Sequence, residues 1–322
     1  MIKSKENIPS LRSSLEVQAK HAGQRIDNYL LRELKGVPRG LVYRLVRKGA
    51  VRVNGVKVDA HYKLLAGDQI VLPTLRTAAV KAPFQASLRH QELLAQAILY
   101  ENEQLVVLNK PAGWAVHSGT GQSHGVIDLA RAYYGNPDLQ LVHRLDKETS
   151  GCLVLAKESQ ALKLLLEQFS QGVAQKTYLA LVKGRWSLGI KSVDTLLAKN
   201  PQKINGKMAV AEQGKLAQSI FKPQAYFDDN TLMQINLLTG RTHQIRVQAS
   251  HLGFPVAGDD RYGDWEHNKH LRLLSLKRLF LHAQSLKIFL PGAAAWIEIQ
   301  APLPEDLNGV LSQLQRNFSR DV

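Results

Sequence analysis

The sequence predicts an α+β fold, in which a large domain with a mixed, largely antiparallel sheet follows a small N-terminal α/β domain. Two observations support this prediction. In the C-terminal part of the chain, short apolar runs alternate with stretches of helical periodicity. In the N-terminal part, basic residues are concentrated around one short helix and one hairpin.

The chain of 322 residues divides into four predicted segments. We expect an N-terminal tail over residues 1–19, the small domain over 20–76, a linker over 77–95 and the large domain over 96–322. The linker is predicted because Pro83 and mixed polar residues interrupt the apolar pattern there.

Composition narrows the class of partner. The net charge is +15, which indicates a polyanionic partner, and nucleic acid is favoured over a membrane surface because no basic amphipathic helix dominates. The sequence has neither a run of eighteen apolar residues nor a signal peptide pattern, so a cytoplasmic protein is expected. A single cysteine, Cys152, excludes an intrachain disulfide and a thiolate-rich zinc site.

Basic side chains cluster in the small domain, where residues 20–76 contain twelve Lys or Arg and four Asp or Glu. Residues 38–48 are predicted to form a helix with one apolar face and one basic face, ended by Gly49. The Asn54-Gly55 pair predicts a two-residue hairpin turn. In that register Arg52 lies opposite Lys57, and the repulsion is offset either by a bound anion or by solvation of a well-separated pair.

With Gly23–Asp27 before it and Ala66–Ile70 after it, this order of elements resembles an S4 RNA-binding domain. The resemblance implies contacts between RNA and the basic side chains of the helix and hairpin. These are Arg39, Arg44, Arg47, Lys48, Arg52 and Lys57. The alternative is a basic surface that only keeps the protein in solution.

Several apolar runs in the large domain predict strands, and one amphipathic stretch predicts a helix. The predicted strands are Leu105–Leu108, Cys152–Ala156, Thr177–Val182, Thr231–Leu238 and Leu279–Ala283, and the predicted helix is Gln160–Phe169.

One carboxylate has an unusual position. Asp146 lies between basic residues, a few positions before the apolar run Cys152–Ala156. A carboxylate beside a core must be paired or used in chemistry. From spacing alone, a solvated or capping role is more typical of such an acid.

The surrounding residues favour chemistry. His143-Arg144-Leu145-Asp146, followed after two positions by Thr149-Ser150-Gly151, resembles the active-site motif of RluA-type pseudouridine synthases. Further matches follow in the same order, and the resemblance covers nearly the whole chain. These matches are Leu108–Gly113, Lys176–Ala180, Gly240–Val247 and Gly258–Gly263. The resemblance implies a central mixed sheet split by a cleft, and the isomerisation of uridine to pseudouridine in 23S ribosomal RNA.

The resemblance also implies residue roles. Asp146 is the catalytic carboxylate, whose first step is attack on C1′, attack on C6 or removal of the C2′ proton. Arg246 keeps it ionised, although alone it would be typical of a solvated strand residue. Tyr178 lies against the target base and takes part in proton removal from C5, or packs in the core. Arg144 enters the RNA where the base leaves, or binds a phosphate, or forms an ion pair, and Leu281 forms an apolar wall of the pocket.

No cofactor or metal is expected, because the isomerisation neither gains nor loses atoms and no glycine-rich phosphate loop or metal-spaced cluster is found. His143 and His243 are assigned to hydrogen bonding within the motifs. Gln248 departs from the family, where a His commonly follows the Arg-Val pair. The expected partner is 23S ribosomal RNA, before or during large-subunit assembly, without a membrane or an obligate protein partner.

Two alternative functions stay open at this point. The first is a pseudouridine synthase that acts on transfer RNA or on another ribosomal position. The second is a non-catalytic RNA-binding factor for ribosome assembly that keeps an inherited pocket. The presence of Asp146, Tyr178 and Arg246 together argues against the second.

Overall fold

The chain divides into two compact units, Met1–Pro83 and Phe84–Val322. The computed structural model describes residues 14–34, 37, 39–73, 86–118, 124–200, 207–290 and 295–318. Each unit has a hydrophobic core of its own. No helix in these described ranges is long and apolar enough to cross a membrane.

Within the described residues, the small unit contains four short strands and two helices. These are β1 (Ser14–Glu16), α1 (Ile26–Glu33), α2 (Arg39–Arg47), β2 (Arg52–Val53), β3 (Val56–Lys57) and β4 (Gln69–Val71), with one turn of 3-10 helix at Ala19–His21. The strands form an antiparallel sheet in the order β1-β4-β2-β3. Strand β1 therefore adds residues from the predicted tail, 1–19, to this sheet.

The hairpin forms in the predicted register. Asn54 and Gly55 have φ angles of 50° and 81°, as a two-residue turn with two left-handed positions requires. Arg52 lies opposite Lys57 in the ladder. The Arg52 guanidinium donates to the Gly55 carbonyl oxygen at 3.0 Å.

The large unit contains eleven strands and six helices within the described ranges. Its strands are β5 (Ile98–Glu101), β6 (Leu105–Lys110), β7 (Gln140–Leu141), β8 (Ser150–Ala156), β9 (Gln175–Lys183), β10 (Lys191–Lys199), β11 (Met208–Val210), β12 (Lys215–Phe227), β13 (Asn230–Leu237), β14 (Leu281–Phe289) and β15 (Trp296–Gln300). Its helices are α3 (Leu88–Gln96), α4 (Val126–Tyr134), α5 (Ser159–Ser170), α6 (Gln244–His251), α7 (Trp265–Leu273) and α8 (Glu305–Phe318).

All eleven strands belong to one sheet in the order β11-β10-β12-β13-β9-β14-β8-β6-β5, with β15 on β14 and β7 on β8. The pairing of β8 with β14 is parallel, and the other described pairings are antiparallel. This confirms the predicted mixed, largely antiparallel sheet. Successive side chains of β6 and β8 point to opposite faces, so the sheet has a core on each side. Helices α3, α4 and α6 cover one face, and α5 covers the other.

Two predicted features differ in the structure. Strand β14 begins at Leu281 rather than Leu279, because the Phe280 amide donates to the Ala257 carbonyl outside the sheet. Helix α3 lies largely inside the predicted linker, 77–95, where its residue Leu94 is buried in the core. The domain boundaries themselves stay predictions.

Candidate active site in the large unit

A cavity of about 550 Å³ opens where the β7–β8 loop meets β9, β14 and α6. Five predicted site residues line it, although they lie far apart in the sequence. They are Asp146, Tyr178, Arg246, Arg144 and Leu281. The structure therefore brings the predicted residues together, and their individual roles stay predictions.

The loop that carries Asp146 is fixed at its C-terminal end. The Thr149 amide donates to the Asp146 carbonyl oxygen at 3.1 Å, which closes a tight turn. Gly151 has a φ of 109°, and a Cβ atom there would overlap the carbonyl oxygen of Ala283. Only glycine allows β8 to approach β14 this closely, which explains the Gly of the Thr-Ser-Gly motif.

Lys110 also fixes this loop, although the sequence analysis assigned Lys110 no role. Its buried ammonium donates to the carbonyl oxygens of Pro111, Trp114 and Lys147 at 2.8, 3.0 and 3.0 Å. Burial lowers the pKa of Lys110 to about 7, partly offset by nearby carboxylates. Because Lys147 directly follows Asp146, this network holds the loop that carries Asp146 in place. The sequence did offer one indication of a role for Lys110, because the Lys110-Pro111 pair lies in Leu108–Gly113, a segment that resembles the family.

Arg246 lies between two carboxylates. Its Nε and NH2 atoms donate to Asp259 at 2.7 and 2.8 Å, and its NH1 atom donates to Asp146 Oδ2 at 3.2 Å. Burial raises the pKa of Asp259, but the Arg246 guanidinium outweighs this effect and the net shift is downwards. Asp259 thus stays ionised and orients the guanidinium toward Asp146. Asp259 is a residue that the sequence analysis missed, although it lies in the matched segment Gly258–Gly263.

The alternating pattern around Arg246 suggested that Arg246 lies on a strand, and the structure shows that this expectation was wrong. Arg246 lies on helix α6, whose residues Ile245 and Ala249 are buried. The residue before this helix, His243, has a left-handed φ of 56°, a rare conformation for a residue with a side chain. The turn made at His243 starts the helix and brings Arg246 to Asp146.

The side chain of His243 also faces Asp146. Its Nε2 atom lies 3.7 Å from Asp146 Oδ2, and its Nδ1 atom lies 2.8 Å from the hydroxyl of Tyr262. That hydroxyl accepts from the Met208 amide at 3.0 Å and can donate its own hydrogen to Nδ1. Burial lowers the pKa of His243, partly offset by Asp146, so the ring is neutral at neutral pH. We therefore assign its hydrogen to Nε2, facing the carboxylate.

Tyr178 and Leu281 form an apolar side of the cavity. They lie on the paired strands β9 and β14, where Tyr178 is opposite Ala283. Both side chains are buried. Burial raises the pKa of Tyr178, and the charge of Asp146 raises it further. Tyr178 is therefore a neutral phenol in the wall of the cavity.

Two further motif residues have distinct surroundings. Arg144 is exposed at the edge of the cavity, and its guanidinium has no hydrogen bond or ion pair with the described part of the chain. His143 accepts a hydrogen bond from the Val154 amide at 3.1 Å and stacks on Phe169. Burial lowers the pKa of His143 to about 3, so it is a neutral structural residue.

Gln248, which departs from the family pattern, is completely buried. Its Oε1 atom accepts from the Ser219 hydroxyl at 2.7 Å, and its Nε2 atom donates to the Ala217 and Val193 carbonyls at 3.0 and 3.1 Å. The amide thereby ties α6 to β10 and β12. The departure from the family is accommodated in the packing beneath the site, without a contact to Asp146.

The small unit has a basic groove of its own. Arg44, Arg47 and Lys57 line a groove of about 980 Å³, together with Tyr43 and His61. Two other predicted RNA-binding residues, Lys48 and Arg52, are exposed outside this lining. The side chain of Arg39, also predicted, lies outside the described part of the chain.

Comparison with known proteins agrees with both units. The profile of the RNA pseudouridylate synthase family matches residues 104–251, and that of the S4 domain matches residues 24–70. The solved structure of human RNA pseudouridylate synthase domain containing 4 covers 70% of this chain and 95% of its own, with a TM-score of 0.58 and 26% identity. The chain belongs to the RNA pseudouridylate synthase family and is an enzyme with an S4 domain.

The similar curated proteins have a narrower name. Ribosomal large subunit pseudouridine synthase C from Yersinia pestis is 44% identical over 94% of this chain and 96% of its own length. The protein of the same name from Escherichia coli K12 is 43% identical over 97% of this chain and 99% of its own length. The similarity thus extends through both units.

Proposed function

We propose that this protein converts specific uridines of 23S ribosomal RNA to pseudouridine, with Asp146 as the catalytic carboxylate. The observation that carries the proposal is the pair formed by Arg246 NH1 and Asp146 Oδ2 at 3.2 Å in the wall of a cavity. The relatives named for the large ribosomal subunit support the substrate, because they match nearly the whole chain.

The reaction breaks the bond between N1 of uracil and C1′ of ribose and forms a bond between C5 and C1′. The hydrogen on C5 leaves as a proton, and N1 gains a proton, so the atoms balance. Each possible first step of Asp146 requires the ionised carboxylate. Arg246 and the Nε2 hydrogen of His243 both stabilise that form.

The target uridine must leave its stack to reach Asp146. The face of Tyr178 and the side chain of Leu281 offer an apolar surface for the base. Arg144 lies exposed at the edge of the cavity, where it can fill the space that the base leaves or bind a phosphate. The basic groove of the small unit supplies further phosphate contacts through Arg44, Arg47 and Lys57. Arg39, Lys48 and Arg52 stay predicted RNA-binding residues.

We further propose that the protein acts in the cytoplasm, before or during assembly of the large subunit, while the uridines are still accessible. Pseudouridines in ribosomal RNA should be mapped in cells that lack the protein. We expect specific sites in 23S RNA to disappear and to return with wild type but not with Asp146→Asn. Unchanged 23S maps would contradict the substrate, and losses in transfer RNA instead would identify a different one.

A further inference from the structure

Lys176 is a buried lysine in the wall of the catalytic cavity. It lies on β9 two residues before Tyr178, and both residues line the cavity. Only 7% of its surface is exposed, and it lines the cavity. A lysine in this position must find a partner or keep access to water, because burial of an unpaired ammonium is costly.

The described part of the chain provides no such partner. The ammonium of Lys176 makes no hydrogen bond or ion pair there, and it lies 5.4 Å from the centre of the Phe169 ring. Two other lysines of the unit do have partners, since Lys110 binds three carbonyls and Lys183 binds Asp264 at 2.8 Å. Lys176 is therefore an uncompensated cation.

This ammonium is open to the cavity. In the described chain, each side-chain nitrogen or oxygen atom that is fully enclosed has a hydrogen-bond partner. The Lys176 ammonium has no such partner. It is therefore not fully enclosed, and the space beside it is the cavity that it lines. Burial and the charge of Lys176 both lower the pKa of His143. The neutral His143 ring carries no negative charge, and its Nε2 atom already accepts from the Val154 amide, so it does not compensate Lys176.

We propose that Lys176 binds an anionic oxygen of the RNA substrate inside the cavity. This inference rests on the proposed function. Such an oxygen has two sources. One is a backbone phosphate of the flipped nucleotide or its neighbour. The other is the uracil ring itself, which leaves C1′ with the electron pair of the broken bond and shares one negative charge among N1, O2 and O4.

Lys176→Met tests the proposal, because methionine is similar in length and has no charge. Binding and single-turnover conversion should be measured with a 23S RNA fragment. If Lys176 binds a phosphate, we expect Lys176→Met to bind RNA about tenfold more weakly and to convert it at an unchanged rate at saturating RNA. The slope of log K against log salt should decrease by the amount that about one phosphate contact contributes. For the uracil anion, we expect binding within about twofold of wild type and a rate reduced about a hundredfold.

Two matched variants complete the experiment. Lys176→Arg keeps the charge and should restore part of the lost binding or rate. Lys183→Met removes a lysine of the same strand that is paired outside the cavity, and it should bind and convert RNA like wild type. Lys176→Met should melt at the same temperature as wild type or higher, since the uncompensated ammonium is gone.

Two results would overturn the role of Lys176. The first is a Met variant that binds and converts RNA like wild type. The second is a Met variant that loses stability and activity together without recovery in the Arg variant, which would assign Lys176 to packing. If the wild-type protein converts no ribosomal RNA, the proposed function is contradicted. If the wild type is active, a negative result for the Lys176 variants contradicts only the role of Lys176.

Discussion

Asp259 holds Arg246 through two parallel hydrogen bonds, from Nε at 2.7 Å and from NH2 at 2.8 Å. This pairing leaves NH1 of Arg246 directed at Asp146. A two-pronged arginine–carboxylate pair fixes the plane of the guanidinium, which a single contact would not. Asp259 therefore acts on Asp146 through Arg246, as a positioning residue.

Asp259→Asn should slow catalysis more than it weakens RNA binding. The amide cannot accept both guanidinium bonds, so Arg246 loses its orientation toward Asp146. We expect a single-turnover rate reduced about 10- to 100-fold, the usual effect of removing such a supporting partner. Asp260→Asn is the matched control, since the side chain of Asp260 is 87% exposed. Equal rates for the Asp259 and Asp260 variants would contradict this positioning role.

Lys110→Met should destabilise the large unit, because three carbonyl oxygens lose a common donor. Each buried carbonyl that loses its donor costs about 1–3 kcal/mol of the free energy of unfolding. Because the loop can relax in part, we expect a total loss of about 2–4 kcal/mol. All four tryptophans lie in the large unit, so urea unfolding followed by tryptophan fluorescence measures its stability. Lys147→Met changes an exposed side chain of the same loop and should have little effect. A Lys110 variant as stable as wild type would show that the network adds nothing.

The stability of the large unit should fall as the pH drops below 6.5, partly because of His143. Burial lowers its pKa from 6.5 to about 3 in the folded protein, so between these values the unfolded chain binds a proton that the folded chain does not. The free energy of unfolding then decreases by up to about 1.4 kcal/mol per pH unit. His143→Gln should reduce the loss between pH 7 and pH 5 by about 2 kcal/mol. The difference between the two proteins is the measured quantity, because His267 and His282 are also buried. An equal loss in both proteins would contradict a neutral His143.

Joint replacement of Arg44, Arg47 and Lys57 by Gln should weaken RNA binding and flatten its salt dependence. Each lost phosphate contact lowers the slope of log K against log salt by about 0.7–0.9, so three contacts correspond to about 2–3 units. Arg32→Gln is the control, since Arg32 pairs with Glu33 and lies outside the groove. An unchanged slope in the triple variant would exclude the groove as an RNA contact.

Local sequence patterns were sufficient where local physics decides the structure. The Asn54-Gly55 turn and the alternation of side chains predicted the register of Arg52 with Lys57. That Asp146, Tyr178 and Arg246 share one site was implied by the family resemblance and not by local physics, and all three line one cavity.

The residues that support Asp146 could not be predicted in this way. Asp259 contacts Arg246 and Lys110 contacts the Lys147 carbonyl, and a lone charged residue in a sequence does not reveal which partner it will meet. Helix α6 was also missed as a helix. It is buried on several sides, so its apolar residues show no single stripe.

The central claim is that Asp146 carries out the isomerisation. It is tested most directly by the release of tritium from C5 of labelled uridine in a 23S RNA fragment, because formation of the C5–C1′ bond expels that hydrogen. We expect wild type to release tritium in a single turnover and Asp146→Asn to release none, while both bind the RNA with the same affinity. Tritium release by Asp146→Asn at a rate near that of wild type would contradict the account.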